Sequence, residues 1–219
     1  MPAERPFKAV LFDLDGTLID SMKYHVAAWK QAFAEAGYYP DKTEFYLNEG
    51  VKHPITVRDR LKSIGVVNPP ETLVTRIYTR KRELFNETAD YGPTKGVPEL
   101  LRELKGKVKL GIVTGSVREV VEKVVSRFFD GYFDFVVDYE STRKGKPDPE
   151  PYLAGIKSAG FPASDILAIE NAPTGVASAL GAGLTCWAVC TTLAPEYLAQ
   201  ADKVFKDFIE LKKYLLQKV

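Results

Sequence analysis

The chain has 219 residues, of which 45% are hydrophobic and 27% are charged, a composition typical of globular proteins that excludes a disordered one. Its length suits one large domain with a smaller insertion. Thirty basic residues face 29 acidic ones, for a net charge of +1. No block of lysine and arginine stands out, so a nucleic-acid-binding surface is not expected.

The cysteine usage and the hydropathy indicate where the protein works. Cys186 and Cys190 share one short apolar stretch, which is typical of a reducing compartment and of two small buried side chains. The N-terminal segment has no signal-peptide core, and no apolar run approaches the length that spans a membrane. We therefore expect a cytoplasmic protein without a membrane partner, as a monomer or a small homo-oligomer.

The first predicted elements are one strand followed by a helical segment. Residues 8–12 form a continuous apolar run that ends at Asp13, as expected of a parallel strand that is covered on both faces. Apolar residues then recur at helical spacing in three stretches: Val26 to Ala36, Val57 to Ile64 and Leu73 to Phe85. Three helices in succession without a strand predict an all-helical insert over residues 20–90.

Strands and helices alternate in the rest of the chain. Helices are predicted at about 97–105, 117–128, 150–159 and 173–182, and strands at 108–113, 133–137, 166–169, 184–190 and 203–205. Such alternation with short loops implies right-handed crossovers and a parallel sheet. The sequence therefore predicts an α/β core from residues 1–19 and 91–219, interrupted by a helical domain at 20–90.

Polar residues follow several of the predicted strands. Ligands of open parallel sheets bind beyond the carboxyl ends of the strands, so these residues are candidates for one common site. They are Asp13 and Asp15, then Thr114 and Ser116, then Lys146, and finally Glu170 with Asn171.

Two crowded carboxylates, Asp13 and Asp15, usually require a divalent cation. Oxygen from Glu170 or Asn171 would complete a site that suits Mg²⁺. A phosphate held there leaves one carboxylate free to attack phosphorus, while the other acts as general acid and then as general base.

The remaining strand-end groups suit the binding of phosphate. The Thr114 hydroxyl, the amide of Gly115 and the Lys146 ammonium can hold its equatorial oxygens, since phosphoryl transfer depends chiefly on positioning and charge. Each group also has an ordinary interpretation: a turn-forming aspartate, a helix N-cap over Thr114-Gly115-Ser116, or a solvated loop lysine. The functional interpretation rests on their order at corresponding strand ends.

Four segments resemble the motifs of the haloacid dehalogenase superfamily. They are residues 12–21 (FDLDGTLIDS), 113–116 (VTGS), 146–149 (KPDP, followed by Tyr152) and 169–175 (IENAPTG). The resemblance implies a Rossmann-like core, a mobile helical cap and an aspartyl-phosphate intermediate. It makes Asp13 the nucleophile and Asp15 the general acid/base, with phosphate bound by Thr114 and Lys146. Magnesium would be held by Asp13, the Asp15 carbonyl and the fourth motif, Glu170 and Asn171.

Further residues resemble the β-phosphoglucomutase-like branch of this superfamily. Asp20, His25, Trp29 and Lys81 match positions of that branch, which implies that His25 and Lys81, with Gly115 and Ser116, contact the substrate. The mutase cap presents an arginine three residues after a glycine, whereas His53 follows Gly50 here. This departure favours a phosphatase over a mutase.

The second departure is Asn171, because the family pattern usually has an aspartate there. An amide oxygen can bind Mg²⁺ but adds no charge, so Glu170 would have to compensate. The sequence thus predicts a Mg²⁺-dependent phosphatase of a small phosphorylated metabolite, such as a sugar phosphate or phosphoglycolate. A mutase and a non-catalytic module that binds phosphorylated ligands stay open as alternatives, whereas Asp15 argues against a dehalogenase or a phosphonatase.

Overall fold

The computed structural model describes residues 6–219. Within this range six strands form one sheet in the order β3-β2-β1-β4-β5-β6, and all neighbouring strands are parallel. The strands are β1 Ala9–Phe12, β2 Lys109–Val113, β3 Phe135–Val137, β4 Ile166–Glu170, β5 Thr185–Val189 and β6 Lys203–Phe205.

Within the described residues the helices fall into two groups: four form the insert that follows β1, and the other five, of which the first precedes β2, pack on the sheet. The first group is α1 Met22–Glu35, α2 Thr43–Leu47, α3 His53–Ser63 and α4 Glu71–Thr88. The second is α5 Val97–Leu104, α6 Arg118–Phe128, α7 Glu150–Ala159, α8 Pro173–Gly181 and α9 Phe208–Leu215. Short 3₁₀ turns occur at Tyr139–Ser141, Ala163–Asp165 and Pro195–Leu198. The predicted fold class, an α/β parallel-sheet core with an inserted all-helical segment, is confirmed.

The sheet is the middle of three layers, because successive side chains of a strand point to opposite faces. Val10 and Phe12 of β1 belong to the apolar cluster formed with α5, α6 and α9. Ala9 and Leu11 belong to the cluster on the other face, formed with α7 and α8. Both faces of β1 are therefore buried, which explains its uninterrupted apolar sequence.

The helical insert has an apolar core of its own. Trp29 of α1 stacks on Phe45 of α2, with ring centroids 5.8 Å apart and planes at 4°, and both rings are buried together with residues of α3 and α4. Three cap helices were predicted, but the structure has a fourth, the five-residue α2. The division of the chain into a core and a cap at residues 20 and 90 stays a prediction.

The topology brings three strand ends to one place. β1 lies between β2 and β4, so the crossovers to its two neighbours leave in opposite directions, the arrangement that opens a crevice at the carboxyl ends of the strands. Ile19 bridges both Asp15 and Pro93, so the chain leaves for the insert and returns from it beside this crevice. Within the part of the chain that the structure describes, no helix has both the length and the apolar character needed to cross a bilayer.

Candidate active site

Asp13 follows β1 directly and is almost fully buried, with 1% of its surface exposed. Its Oδ1 accepts a hydrogen bond from Lys146 Nζ at 2.6 Å, whereas Oδ2 is buried and has no hydrogen-bond partner among the described residues. Burial raises the pKa of Asp13 to about 7, although the Lys146 ammonium acts in the opposite direction. Asp13 thus combines a positioned carboxylate with one free oxygen.

Lys146 lies between two buried carboxylates. Its Nζ donates to Asp13 Oδ1 and to Glu170 Oε1, both at 2.6 Å, and Glu170 Oε1 also accepts from the Tyr152 hydroxyl at 2.6 Å. Burial disfavours the charged lysine, but the two carboxylates outweigh it and hold the pKa of Lys146 above its usual range. The ammonium is therefore permanently charged beside Asp13.

Gly175 in α8 allows Glu170 to lie against the helix. A Cβ at this position would come within 2.1 Å of Glu170 Cδ, a distance that no side chain can tolerate. Position 175 of the fourth motif therefore requires a glycine, because a side chain there would collide with Glu170.

Asp15 accepts hydrogen bonds on both carboxylate oxygens. Ser21 Oγ donates to Oδ1 and Ser116 Oγ donates to Oδ2, each at 2.6 Å, and His25 Nε2 lies 3.0 Å from Oδ1. Burial alone would raise the pKa of Asp15, but His25 and the two hydroxyls outweigh burial and hold it well below its usual range. Asp15 is consequently a carboxylate at neutral pH.

His25 and Lys81 extend this network into the cap. Lys81 Nζ lies 2.8 Å from His25 Nδ1, and because an ammonium can only donate, Nδ1 is the acceptor and Nε2–H donates to Asp15. Burial and the Lys81 ammonium lower the pKa of His25, while burial lowers the pKa of Lys81 to about 8. A neutral imidazole therefore links the cap lysine to Asp15.

The second motif lies under the cap. Thr114 is buried, and its Oγ1 accepts from the Ser116 amide at 3.1 Å. A Cβ on Gly115 would lie 3.0 Å from the Gly50 carbonyl oxygen, so a glycine permits the cap loop to pass closely over this motif. Ser116, predicted to contact substrate, donates to Asp15 in this structure.

Asn171 is held by two threonines. Thr17 Oγ1 donates to its Oδ1 at 3.0 Å, and its Nδ2 donates to Thr192 Oγ1 at 3.1 Å. Gly16 lies against the Asn171 amide in the left-handed backbone region, with φ +82°, and a Cβ at Gly16 would lie 2.2 Å from Asn171 Nδ2. In this structure the amide therefore organises the loop that carries Asp15.

A further acid, Glu49, reaches the site from the cap and was missed by the sequence analysis. Carboxylate oxygens of Asp13, Glu49 and Glu170 lie within 4.8 Å of one another. Glu49 Oε2 is buried without a hydrogen-bond partner among the described residues, and burial, followed by the charge of Asp13, raises the pKa of Glu49 well above its usual range. No periodicity or motif distinguishes this loop residue, so the sequence offered no signal for it.

These oxygens fit a hard divalent cation. Mg²⁺ takes oxygen ligands and few of them from protein, and the free oxygens Asp13 Oδ2 and Glu49 Oε2 are both buried and without partners among the described residues. Three carboxylates face the single Lys146 ammonium in this cluster. The residues present therefore fit the predicted Mg²⁺, whereas the ligand set itself stays a prediction.

Two small cavities adjoin the site. The inner one is about 40 Å³, with Asp15, Glu49 and Gly115 in its lining. The outer one is about 130 Å³ and carries Lys81, Arg82 and Lys123. His25, His53 and Ser116 line both. A larger groove of about 710 Å³ lies between α1 and α4 on the cap, and its lining contains none of the predicted site residues.

The predicted site residues converge on this edge of the sheet. They form one assembly around the ends of β1, β2 and β4: Asp13, Asp15, His25, Lys81, Thr114, Gly115, Ser116, Lys146, Glu170 and Asn171. The roles assigned to them individually stay predictions.

Comparisons with known proteins agree with this arrangement. A family model for haloacid dehalogenase-like hydrolases matches residues 7–183. Validoxylamine A 7'-phosphate phosphatase of Streptomyces hygroscopicus subsp. limoneus is 29% identical over 94% of this chain and 96% of its own length. The β-phosphoglucomutase of Bacillus subtilis (strain 168) is 30% identical over 81% of this chain and 80% of its own length.

The fold has a close counterpart among solved structures. A provisionally named β-phosphoglucomutase from Bacteroides vulgatus superposes with a TM-score of 0.89 at 31% identity, covering 98% of this chain and 90% of that one. The matches confirm the predicted resemblance and the predicted enzyme class, a phosphoric monoester hydrolase. The chain belongs to the haloacid dehalogenase-like hydrolases.

Proposed function

We propose that the protein is a Mg²⁺-dependent phosphatase that hydrolyses a small phosphate monoester through a phosphorylated Asp13. One observation carries the proposal: Asp13 Oδ2 is buried and without a partner among the described residues, while Lys146 fixes the other oxygen. A carboxylate held in this way presents a lone pair toward an incoming phosphorus atom.

The chain's own groups would divide the first step among them. The bond between Asp13 Oδ2 and phosphorus forms as the bond from phosphorus to the leaving oxygen breaks. The Lys146 ammonium, the Thr114 hydroxyl and the Gly115 amide hold the phosphoryl oxygens. Because Asp15 rests as a carboxylate, it first takes up a proton from solvent and then transfers that proton to the leaving oxygen.

In the second step Asp15 takes a proton from water, whose oxygen attacks phosphorus and releases Asp13. Its carboxylate state, maintained by Ser21, His25 and Ser116, suits this basic role. Magnesium, held by Asp13, the Asp15 carbonyl and the fourth motif, would supply positive charge to the phosphate oxygens. Glu170 supplies the negative charge that Asn171 lacks.

The substrate class follows from the relatives and from the cavities. Relatives are named for validoxylamine A 7'-phosphate, for a phosphorylated glucose and for hexitol phosphates, so we propose a phosphorylated sugar or a related polyol. The inner cavity of about 40 Å³ is little larger than one water molecule, about 30 Å³ in the liquid. The leaving group would therefore extend into the outer cavity, and the cap would open to admit it.

The mutase alternative meets an obstacle at His53. Its ring lies 5.6 Å from Trp29 and 5.3 Å from Tyr78. Burial, together with Lys81 and His25, lowers the pKa of His53 well below its usual range. A neutral imidazole does not replace the arginine charge that would hold a second phosphate.

A chromogenic aryl phosphate tests the proposal. Hydrolysis should require Mg²⁺ and should be lost in Asp13→Asn but kept in Asp130→Asn, which changes an exposed aspartate. In Asp15→Asn, phosphoenzyme formation should fall about 10²- to 10⁴-fold for poor leaving groups and less for good ones. Wild-type hydrolysis by Asp13→Asn would refute the proposal, and absence of Mg²⁺ binding would favour the non-catalytic module. Production of a hexose 6-phosphate from a hexose 1-phosphate would instead establish the mutase.

A further inference from the structure

The cap segment 48–52, between α2 and α3, is fastened to the core at Glu49 and at Lys52. The Thr174 hydroxyl of α8 donates to the Glu49 carbonyl oxygen. Lys52 Nζ donates to the carbonyl oxygens of Thr142 at 2.8 Å and Tyr139 at 3.3 Å, and it lies 4.0 Å from the centre of the Tyr139 ring. The backbone that carries Glu49 is thus held against the core.

The fastened backbone aims the Glu49 carboxylate into the core site. Its oxygen lies within 4.8 Å of the carboxylate oxygens of Asp13 and Glu170. The Lys52 ammonium holds the segment against the core, and the Glu49 carboxylate of the same segment points into the site. Opening of the cap would withdraw Glu49 while Asp13 and Glu170 stayed with the sheet.

The charges in the site are unbalanced when the cap is closed. Asp13, Glu49 and Glu170 contribute three negative charges when ionised, and Lys146 contributes one positive charge. Asp13, at 1% exposure, still has Oδ2 without a partner among the described residues, and the buried Oε2 of the half-buried Glu49 also has none there. Two uncompensated charges and the free Glu49 oxygen are what one divalent cation would satisfy, while Asp13 Oδ2 is the oxygen that attacks phosphorus.

We infer that Glu49 is a ligand which the cap adds to the core's magnesium site, so that cation binding and cap closure stabilise each other. The inference rests on the proposed Mg²⁺ site of the core and adds to it one further ligand from outside the sheet. Because linkage is reciprocal, a cation that binds the closed form more tightly shifts the cap toward closure by the same factor. The cap would then be held closed by two contacts. Lys52 binds the core whether or not the cation is present, whereas Glu49 binds the core through the cation.

The test measures Mg²⁺ affinity by titration calorimetry and backbone hydrogen exchange in the peptide 48–56, with and without Mg²⁺. In the wild-type protein Mg²⁺ should slow exchange in this peptide. Glu49→Gln keeps the shape but removes the charge, and it should weaken Mg²⁺ binding about tenfold or more and abolish the slowing. A retained thermal transition shows that this variant is folded.

Two further variants separate the cation effect from simple docking. Lys52→Met should accelerate exchange in peptide 48–56 both with and without Mg²⁺, while the ratio between the two conditions stays close to the wild-type ratio. Glu83→Gln, which removes an exposed cap carboxylate paired with Arg80, should behave as the wild type in both measurements.

Wild-type affinity and wild-type slowing in Glu49→Gln would overturn the inference and leave the proposed phosphatase untouched. Equally, Mg²⁺ binding to the wild-type protein without any change in exchange would overturn it. Absence of Mg²⁺ binding to the wild-type protein would instead refute the proposed function, and the inference with it.

Discussion

Replacement of Lys146 by methionine removes the ammonium that separates two buried carboxylates. Lys146 Nζ lies 2.6 Å from Asp13 Oδ1 and 2.6 Å from Glu170 Oε1, with none of the three side chains more than 1% exposed. Removal of one partner from a buried ion pair costs about 3–5 kcal/mol. A chain of this size loses about 2–4 °C of Tm per kcal/mol. The metal-free variant should therefore melt about 6–20 °C below the wild type at pH 8.

The loss of Tm caused by Lys146→Met should depend on pH. The pKa of Asp13 is already raised to about 7 from 3.8, and Lys146 is the group that lowers it, so it rises further in Lys146→Met. An acid whose pKa is higher in the folded state loses stability as the pH rises through that value, and it costs nothing below its unfolded pKa. The difference in Tm between variant and wild type should consequently shrink from pH 8 to pH 5.

Thermal melts followed by near-ultraviolet circular dichroism, in EDTA at pH 5, 6.5 and 8, measure this difference. Lys144→Met is the control, because this lysine is exposed and pairs with the partly exposed Asp148, a contact worth about 0–1 kcal/mol. A Lys146→Met deficit below about 2 °C at pH 8, or one that is the same at all three pH values, would refute the electrostatic reasoning.

Two other substitutions test the packing and the burial of the site. Gly175→Ala should displace Glu170, because the new Cβ would come within 2.1 Å of it, and it should lower the free energy of unfolding by about 1–3 kcal/mol and remove most of the phosphatase activity. Gly181→Ala in the same helix, whose Cβ would meet nothing closer than 3.5 Å, should leave stability and activity unchanged. Equal effects of the two substitutions in urea melts would contradict this. Burial lowers the pKa of Lys81 from 10.5 to about 8, so its ammonium costs stability below pH 8 and nothing above its unfolded pKa. Lys81→Met should raise the free energy of unfolding by on the order of 1–3 kcal/mol at pH 7, and this gain should disappear as the pH approaches 10.5. The variant should also turn over substrate more slowly, because His25 loses the partner that positions it. A loss of stability at pH 7 would contradict this account.

The core could be predicted from the sequence because each buried parallel strand has a strong local signal. The predicted strand 8–12 is observed at Ala9–Phe12, and 108–113 is observed at Lys109–Val113. Predicted 133–137 begins later, at Phe135, because Asp134 leaves the strand and accepts from the Leu110 amide at 2.7 Å. Boundaries shift where a side chain replaces a backbone partner, which the apolar pattern does not record.

The cap was predicted less completely. The helix α2 has five residues and only Phe45 is buried, so it is too short to show helical periodicity. Glu49 directly follows this region, and its role depends on how the cap docks on the core. Docking joins residues more than 120 positions apart, such as Glu49 and Thr174, and no local pattern contains that information.

The site was predicted where topology alone determines it. Parallel strands deliver their carboxyl ends to one edge, which brought together Asp13, Thr114 and Glu170. The network around Asp15 was harder to predict from the sequence, since its Lys81–His25 contact spans 56 positions and requires α1 and α4 to pack together. Residues that act through a long-range contact were found only by resemblance, as His25 was, or not at all.

The central claim is that Asp13 attacks phosphorus, and chemical trapping tests it most directly. Wild-type enzyme that is turning over substrate with Mg²⁺ is quenched in acid and reduced with borohydride, which converts an aspartyl phosphate into homoserine, and the peptides are then sequenced by mass spectrometry. The account predicts homoserine at position 13 in the wild-type protein and none in a sample without substrate. An unmodified Asp13 under conditions in which a phosphoenzyme is shown to accumulate, or homoserine at another position, would contradict it.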